Sequence, residues 1–267
     1  MNTIAMLDAP VMPVVHRRER SQYRNSAVFP APRIWPPSPK PKTSSWANHF
    51  LRSLPSSCTA LIERSLRPVT LCRDEILHDQ QALPEYVYFP ETAVISHQRV
   101  LLDGRTVEIA LTGREGTVGM ASVFGSGVST SSAEVAQAGL ALKIERILLI
   151  KLSRIYPELV PLLAADVGRY INDISCRSIC NTYHDLRPRL ATWLLMMRDL
   201  SGKSAFTLTH EQMSRSLGVF RPSITCTTTE MRLDGLIEYS RSSIILKDRS
   251  LLEQAACTCY GELAKGL

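Results

Sequence analysis

The sequence predicts an α+β protein: a run of short antiparallel strands, one long helix, then a compact helical domain carrying a strand pair. Three observations predict it. Turn-bounded apolar runs fill residues 69–144, and Asp103-Gly104 among them is a strong hairpin signal. Apolar residues at alternating steps of three and four fill residues 157–185. Residues 209–237, THEQMSRSLGVFRPSITCTTTEMRLDGLI, read as two short helices around a tight break.

The chain of 267 residues is long enough for two domains with separate cores. An apolar share of 45% against 21% charged is ordinary for a globular protein. A net charge of +6 and a pI near 9.0 favour a polyanionic partner without identifying one. No apolar run is long enough to span a bilayer, and no signal peptide opens the chain. A cytoplasmic protein without membrane contact is expected. The seven cysteines are odd in number and scattered, which argues against a disulfide framework. Cys176 and Cys180 lie one helical turn apart, and Cys257 and Cys259 flank Thr258. These thiols are either reduced packing residues or a redox or metal switch. Neither pair has neighbours that complete an evident four-ligand set, so no metal or cofactor is expected.

Taken in order, residues 1–45 mix recurrent prolines with arginines and lysines, and no apolar period survives so many breakers. This stretch is read as a disordered tail, either a solvated extension or a source of nonspecific phosphate contacts. Two helical pieces, 47–54 and 58–66, flank Pro55. Strands follow at 69–71, 75–77, 86–89 and 92–100, then a hairpin joining 94–101 to 105–111. In its second strand Val107, Ile109 and Leu111 alternate with Thr106, Glu108 and Ala110. Further strands at 134–136 and 140–144 complete an antiparallel roll or barrel. Between them, residues 113–135 (GREGTVGMASVFGSGVSTSSAEV) form a glycine- and serine-rich loop. Its free N–H groups either cradle an anion or only close the roll.

The long helix carries Val160, Leu163, Val167, Tyr170 and Ile174 on one seam, thickened by Leu159, Leu162 and Ile171. Such a face covers either a partner helix or the chain's own core. Pro188 is read as the break that ends it. Residues 189–199 then form a helix with Leu190, Trp193, Leu194 and Met197 inward. Thr209 and Gln212 have capping-box spacing, so a helix starts there, with Met213 and Leu217 on its buried side. Gly218 sits where a left-handed residue is wanted. A second helix begins near Arg221, with Pro222 in its first turn and Ile224, Met231 and Leu236 as packing contacts. Strands 237–240 and 244–246 flank the turn Arg241-Ser242-Ser243 as a small wing. Residues 251–267 form a short helix with a frayed end.

Four segments at characteristic spacing, RLATWLL (189–195), LTHEQMSRSLGVFRPSIT (208–225), DGLIEYS (234–240) and IILKDRSLLEQAAC (244–257), closely resemble the DNA-binding end of the Crp/Fnr family of bacterial transcription regulators. The upstream half resembles that family less tightly, from about Trp46 onward. The resemblance implies a tail (1–45), a cyclic-nucleotide-binding-like β-roll sensor (46–156), a dimerisation helix (157–186), a winged helix-turn-helix domain (187–256) and a C-terminal tail (257–267). It also implies a homodimer on a roughly palindromic DNA site, with RNA polymerase as a further partner of an activator. The effector site would comprise Gly116, Thr117, Gly119, Ser131, Ser132 and Ser175. Members that bind cyclic AMP carry a Glu and an Arg where this chain has Thr117 and Ser131, so a charge-assisted, two-pronged contact is lost and cyclic AMP is disfavoured. Oxygen-sensing members hold an iron–sulfur cluster on cysteines near the N-terminus; here only Cys58 and Cys72 precede the sensor core.

In such a dimer each recognition helix enters one of two successive major grooves. Arg221 is the leading base reader, since a guanidinium holds guanine O6 and N7 together; the alternative is a loose phosphate contact. Thr209 and Ser223 suit phosphate oxygens, and Arg215 and Arg241 add electrostatic affinity from the flanks. Phe220, Pro222, Thr225 and Cys226 complete the expected surface. Pro222 and Cys226 replace a glutamate and an arginine of the cyclic-AMP regulators, so the usual half-site is not implied. No nucleophile–base set occurs: His78, His97, His184 and His210 fall in unrelated segments, so the chain is not read as an enzyme.

Overall fold

The computed structural model describes residues 46–124 and 127–265; the tail expected at 1–45 lies outside the described residues. Helix α1 (His49–Arg52) starts at Asn48, whose side chain accepts the Leu51 N–H at 3.2 Å. The same amide donates to the carbonyls of Pro90 and Gly116 at 3.0 and 2.9 Å. Helix α2 (Ser56–Ser65) follows Pro55. Phe50, Leu51, Cys58 and Ile62 from these helices meet Val87, Phe89, Leu142 and Ile144 in one apolar core.

The strands are β1 (Arg67–Leu71), β2 (Ile76–His78), β3 (Tyr86–Pro90), β4 (Val94–Val100), β5 (Thr106–Thr112), β6 (Ser132–Gln137) and β7 (Gly139–Glu145). They form two antiparallel sheets, ordered β1-β7-β3 and β2-β6-β4-β5. The expected hairpin is present: Val100 pairs with Thr106, and Gly104 turns the chain at φ +83°. The alternation in β5 is present as well, but its polar phase lies deeper. Glu108, Ala110 and Thr112 are buried, while Val107 and Ile109 are only half-buried. A 3-10 turn at Met120–Val123 and helix α3 (Arg146–Ile155), which packs Leu148, Leu149 and Leu152 into the core, add to the elements read from the sequence.

Helix α4 (Leu159–Tyr183) closes the roll. Leu159 and Leu163 are fully buried in the roll's core and Val167 packs against it. The Tyr170 ring lies 4.9 Å from that of His97. The seam drawn through Val160, Leu163, Val167, Tyr170 and Ile174 therefore divides. Leu163, Val167 and Tyr170 turn to the chain's own roll, Ile174 is half-buried, and Val160 is exposed. The helix has apolar residues on more than one side, and the open roll takes the broader one. The helix ends before Pro188, which lies in the first turn of α5 (Leu186–Ser201); it opens the next helix rather than breaking this one.

The C-terminal domain continues through β8 (Ala205–Thr207), α6 (His210–Leu217), α7 (Arg221–Leu233), β9 (Ile237–Ser240) and β10 (Ser243–Leu246). The helix expected over 251–267 is two helices, α8 (Arg249–Ala255) and α9 (Cys259–Ala264), broken where Ala256 turns extended. Leu190, Trp193, Met197, Met213, Leu217, Ile224 and Met231 form its core. Val94 and Leu111 of the roll belong to the same cluster, so the two cores expected to be separate meet.

Candidate nucleic-acid interface and sensor pocket

The helix pair forms for the local reasons its sequence suggests. The Thr209 hydroxyl accepts the Gln212 N–H at 3.1 Å, and the Gln212 side chain accepts the Thr209 N–H at 3.0 Å, a closed capping box. Gly218 adopts φ +63°, and a Cβ there would stand 3.0 Å from a Val107 methyl of β5. The turn between the helices is thus wedged against the roll. In α7, Ile224, Thr227, Thr228 and Met231 face inward, and Arg221, Pro222, Ser223, Thr225 and Cys226 are exposed. Phe220, just before the helix, is 81% exposed. Arg241 and Ser242 both have positive φ and make a two-residue turn between the paired Ser240 and Ser243; the expected three-residue turn is one shorter because Ser243 joins β10. Arg215 is exposed but lines a cleft between α6 and the roll together with Arg73 and Asp74.

His210 is the residue that sequence reasoning missed here. Its ring nitrogens lie 3.0 Å from the Thr225 hydroxyl and 3.2 Å from that of Thr228, and the ring stacks on Tyr239 at 4.6 Å. One side chain therefore holds α6, α7 and the wing together. Burial, with the nearby Arg221 cation, lowers its pKa, which favours the neutral ring. Its position opening a helix, with threonines fifteen and eighteen residues on, gave no recognisable spacing.

The cavity at the expected effector site lies between the roll and α4, about 30 Å³ and lined by His97, Thr117, Gly119, Ser131, Asp166 and Tyr170, among others. That is room for a water molecule, not a nucleotide. Thr117 donates to the Asp166 carboxylate, and the Ser131 and Tyr170 hydroxyls lie 3.3 Å apart. Of the other predicted effector residues, Gly116 lies beneath the Arg169 guanidinium. Ser132 donates to the Gln98 carbonyl. Ser175 is exposed on the outer side of α4 and bonds its own helix, so it does not reach the pocket. Arg169 pairs with the pocket-lining Asp166, and the carboxylates of Glu115, Asp166 and Asp173 surround it at 3.6, 3.5 and 2.8 Å. Burial raises the pKa of Glu115 and Asp166 while Arg169 pulls them back.

A further buried network joins roll and DNA-binding domain. Glu108 on β5 accepts from Ser96 at 2.8 Å, from the Trp193 indole at 2.8 Å and from Arg177 at 2.9 Å. Arg73 donates to Gln212 at 2.9 Å, and Gln212 donates to Asp74 at 3.2 Å. The fold also assembles what the sequence left scattered. Cys180, His184, Cys257 and Cys259 place all four donor atoms within 4.8 Å of one another, and His184 takes the place expected for Cys176. The hydrogen bond with Cys180, joined by one with Thr192, pulls the Cys257 thiol below the usual thiol range.

Together, the β-roll is fastened to a helix-turn-helix whose second helix is open to solvent. Residues 188–255 match the Crp-like helix-turn-helix domain, and the fold is similar to solved structures of Crp/Fnr family regulators. A protein of Eubacterium rectale described as a Crp/Fnr family transcriptional regulator superposes with a TM-score of 0.65 at 16% identity, over 78% of this chain and 98% of that one. FixK2 of Bradyrhizobium japonicum gives 0.61 at 20% identity, over 72% and 98%. The c-di-GMP-responsive global regulator CLP of Xanthomonas campestris gives 0.57 at 12%, over 73% and 100%. No curated protein matches the sequence. No helix among the described residues is long and apolar enough to cross a membrane.

Proposed function

We propose that this chain is a cytoplasmic homodimeric transcription regulator that reads a roughly palindromic DNA site through α7 and does not take cyclic AMP in the usual way. The observation that carries the reading is the division of α7: its apolar side is sealed in the core, and Arg221, Ser223 and Cys226 stand in solvent, as does Arg241 at the tip of the wing. Arg221 would read a base, Ser223 and the first-turn N–H groups would hold phosphate, and Arg241 would add affinity from the flank.

Pairing through α4 is supported by where its charges go. Asp166, Arg169, Asp173 and Arg177 all turn inward, leaving an outer face of Ala164, Gly168, Ile171, Ser175 and Ile179 without a charge. A solitary helix facing water normally shows the reverse. The domain limits at 156/157 and 186/187 belong to the same reading, as does a contact with RNA polymerase if the protein activates. Selection of bound sequences from random duplex DNA tests it. Enrichment of a twofold-symmetric sequence is expected, and failure to enrich any sequence would refute it.

A further inference from the structure

The end of α4 and the segment between α8 and α9 meet at a cluster of thiols. The Cys180 and Cys257 sulfurs lie 3.5 Å apart, and Cys259 Sγ lies 3.6 Å from His184 Nδ1. In a tetrahedral zinc site, Zn–S of about 2.3 Å and Zn–N of about 2.0 Å place neighbouring sulfurs about 3.8 Å apart and sulfur and nitrogen about 3.5 Å apart. These two pairs lie within about 0.3 Å of that spacing. All four donor atoms fall within 4.8 Å of one another, which suits a single ion, whereas an iron–sulfur cube holds its cysteine sulfurs wider.

We propose that Cys180, His184, Cys257 and Cys259 bind one Zn²⁺ that ties the chain beyond the wing to the end of the long helix. The surroundings suit that charge. Three thiolates and a neutral imidazole around Zn²⁺ leave one net negative charge, and Arg177 and Arg189 line the cavity that Cys180 and Thr192 share. Thr192 orients the site from outside: its hydroxyl lies 3.1 Å from Cys257 Sγ and accepts the Cys257 N–H at 3.1 Å. Cys180, Cys257 and Cys259 are each under 10% exposed, the closed setting of a structural site rather than a catalytic one. The ion would hold the C-terminal domain at a further point, beside the covalent joint at His184 and Asp185 and the contacts with the roll, and so help set the angle between α4 and α7.

The test uses the full chain and reads metal, not DNA, so it stands apart from the proposal above. Elemental analysis after zinc loading and dialysis is expected to give one zinc per chain, and cobalt substitution the visible bands of a tetrahedral thiolate site. Cys257→Ser should lower zinc content at least tenfold, and Cys72→Ser, at an exposed cysteine outside the cluster, should leave it unchanged. If Cys257→Ser does not fold, alkylation of the native chain decides: zinc should protect three thiols that a chelator then exposes. Less than a tenth of a zinc per chain, full zinc in a folded Cys257→Ser, or a Cys180–Cys257 disulfide in the native protein would each overturn the proposal.

Discussion

The wholly buried carboxylate of Glu108 accepts the indole N–H of Trp193 at 2.8 Å, joining strand β5 of the roll to the first helix of the DNA-binding domain. Arg177 completes the pair from α4. Glu108→Gln would keep the hydrogen bonds and strand the guanidinium. Breaking one side of a buried ion pair costs on the order of 3 kcal/mol. A lower Tm is expected, with faster proteolysis at the joint around His184; an unchanged Tm would mean that the guanidinium finds water.

The outer face of α4 supplies a separable test of pairing. Ile171 is 57% exposed, so Ile171→Glu should leave the monomer's fold intact and yield monomers in light scattering. Leu163→Ala should do the opposite, costing ~2–5 kcal/mol of stability through its buried cavity. If Ile171→Glu remains dimeric at micromolar concentration, the pairing face lies elsewhere.

At the recognition helix, Arg221→Ala should lower specific affinity by roughly 1–3 kcal/mol, confined to one base pair. Binding titrations against the selected site and against random duplex separate the roles. An equal loss on both would reduce the arginine to a phosphate contact.

The pH dependence of stability has a defined sign at His97. Burial holds its ring down to about 3 from an ordinary 6.5, so the unfolded chain takes a proton that the folded one refuses. Its contribution is complete above pH 6.5 and is lost as the pH falls towards 3. Glu108, Glu115 and Asp166, shifted upward by burial, act with the opposite sign, contributing at low pH and losing that contribution as the pH rises. Denaturant midpoints of wild type and His97→Gln between pH 7 and 4 isolate the histidine; relative to its own value at pH 7, the variant should lose less stability than wild type as the pH falls.

Local chemistry made most of the architecture legible. The capping box at Thr209, the turn glycine at Gly218 and the Asp103-Gly104 hairpin act within a few residues, and all three formed as read. The rest depended on long-range choices. The α4 pattern offered more than one apolar side, and only the roll decides which is covered. His210, Glu108 and the Cys180–His184–Cys257–Cys259 group draw their meaning from partners on other elements, up to 85 residues away for Glu108 and Trp193. No spacing rule reaches that far.

The wedge at Gly218 has a genetic consequence. Any side chain there must both bear a left-handed backbone and displace the Val107 methyl. Asparagine would ease only the first difficulty, so its defect should be partly suppressed by a second change, Val107→Ala, on the neighbouring domain. Roll and reader would thus be inherited as a matched pair at this contact, and exchanging one without the other should fail there first.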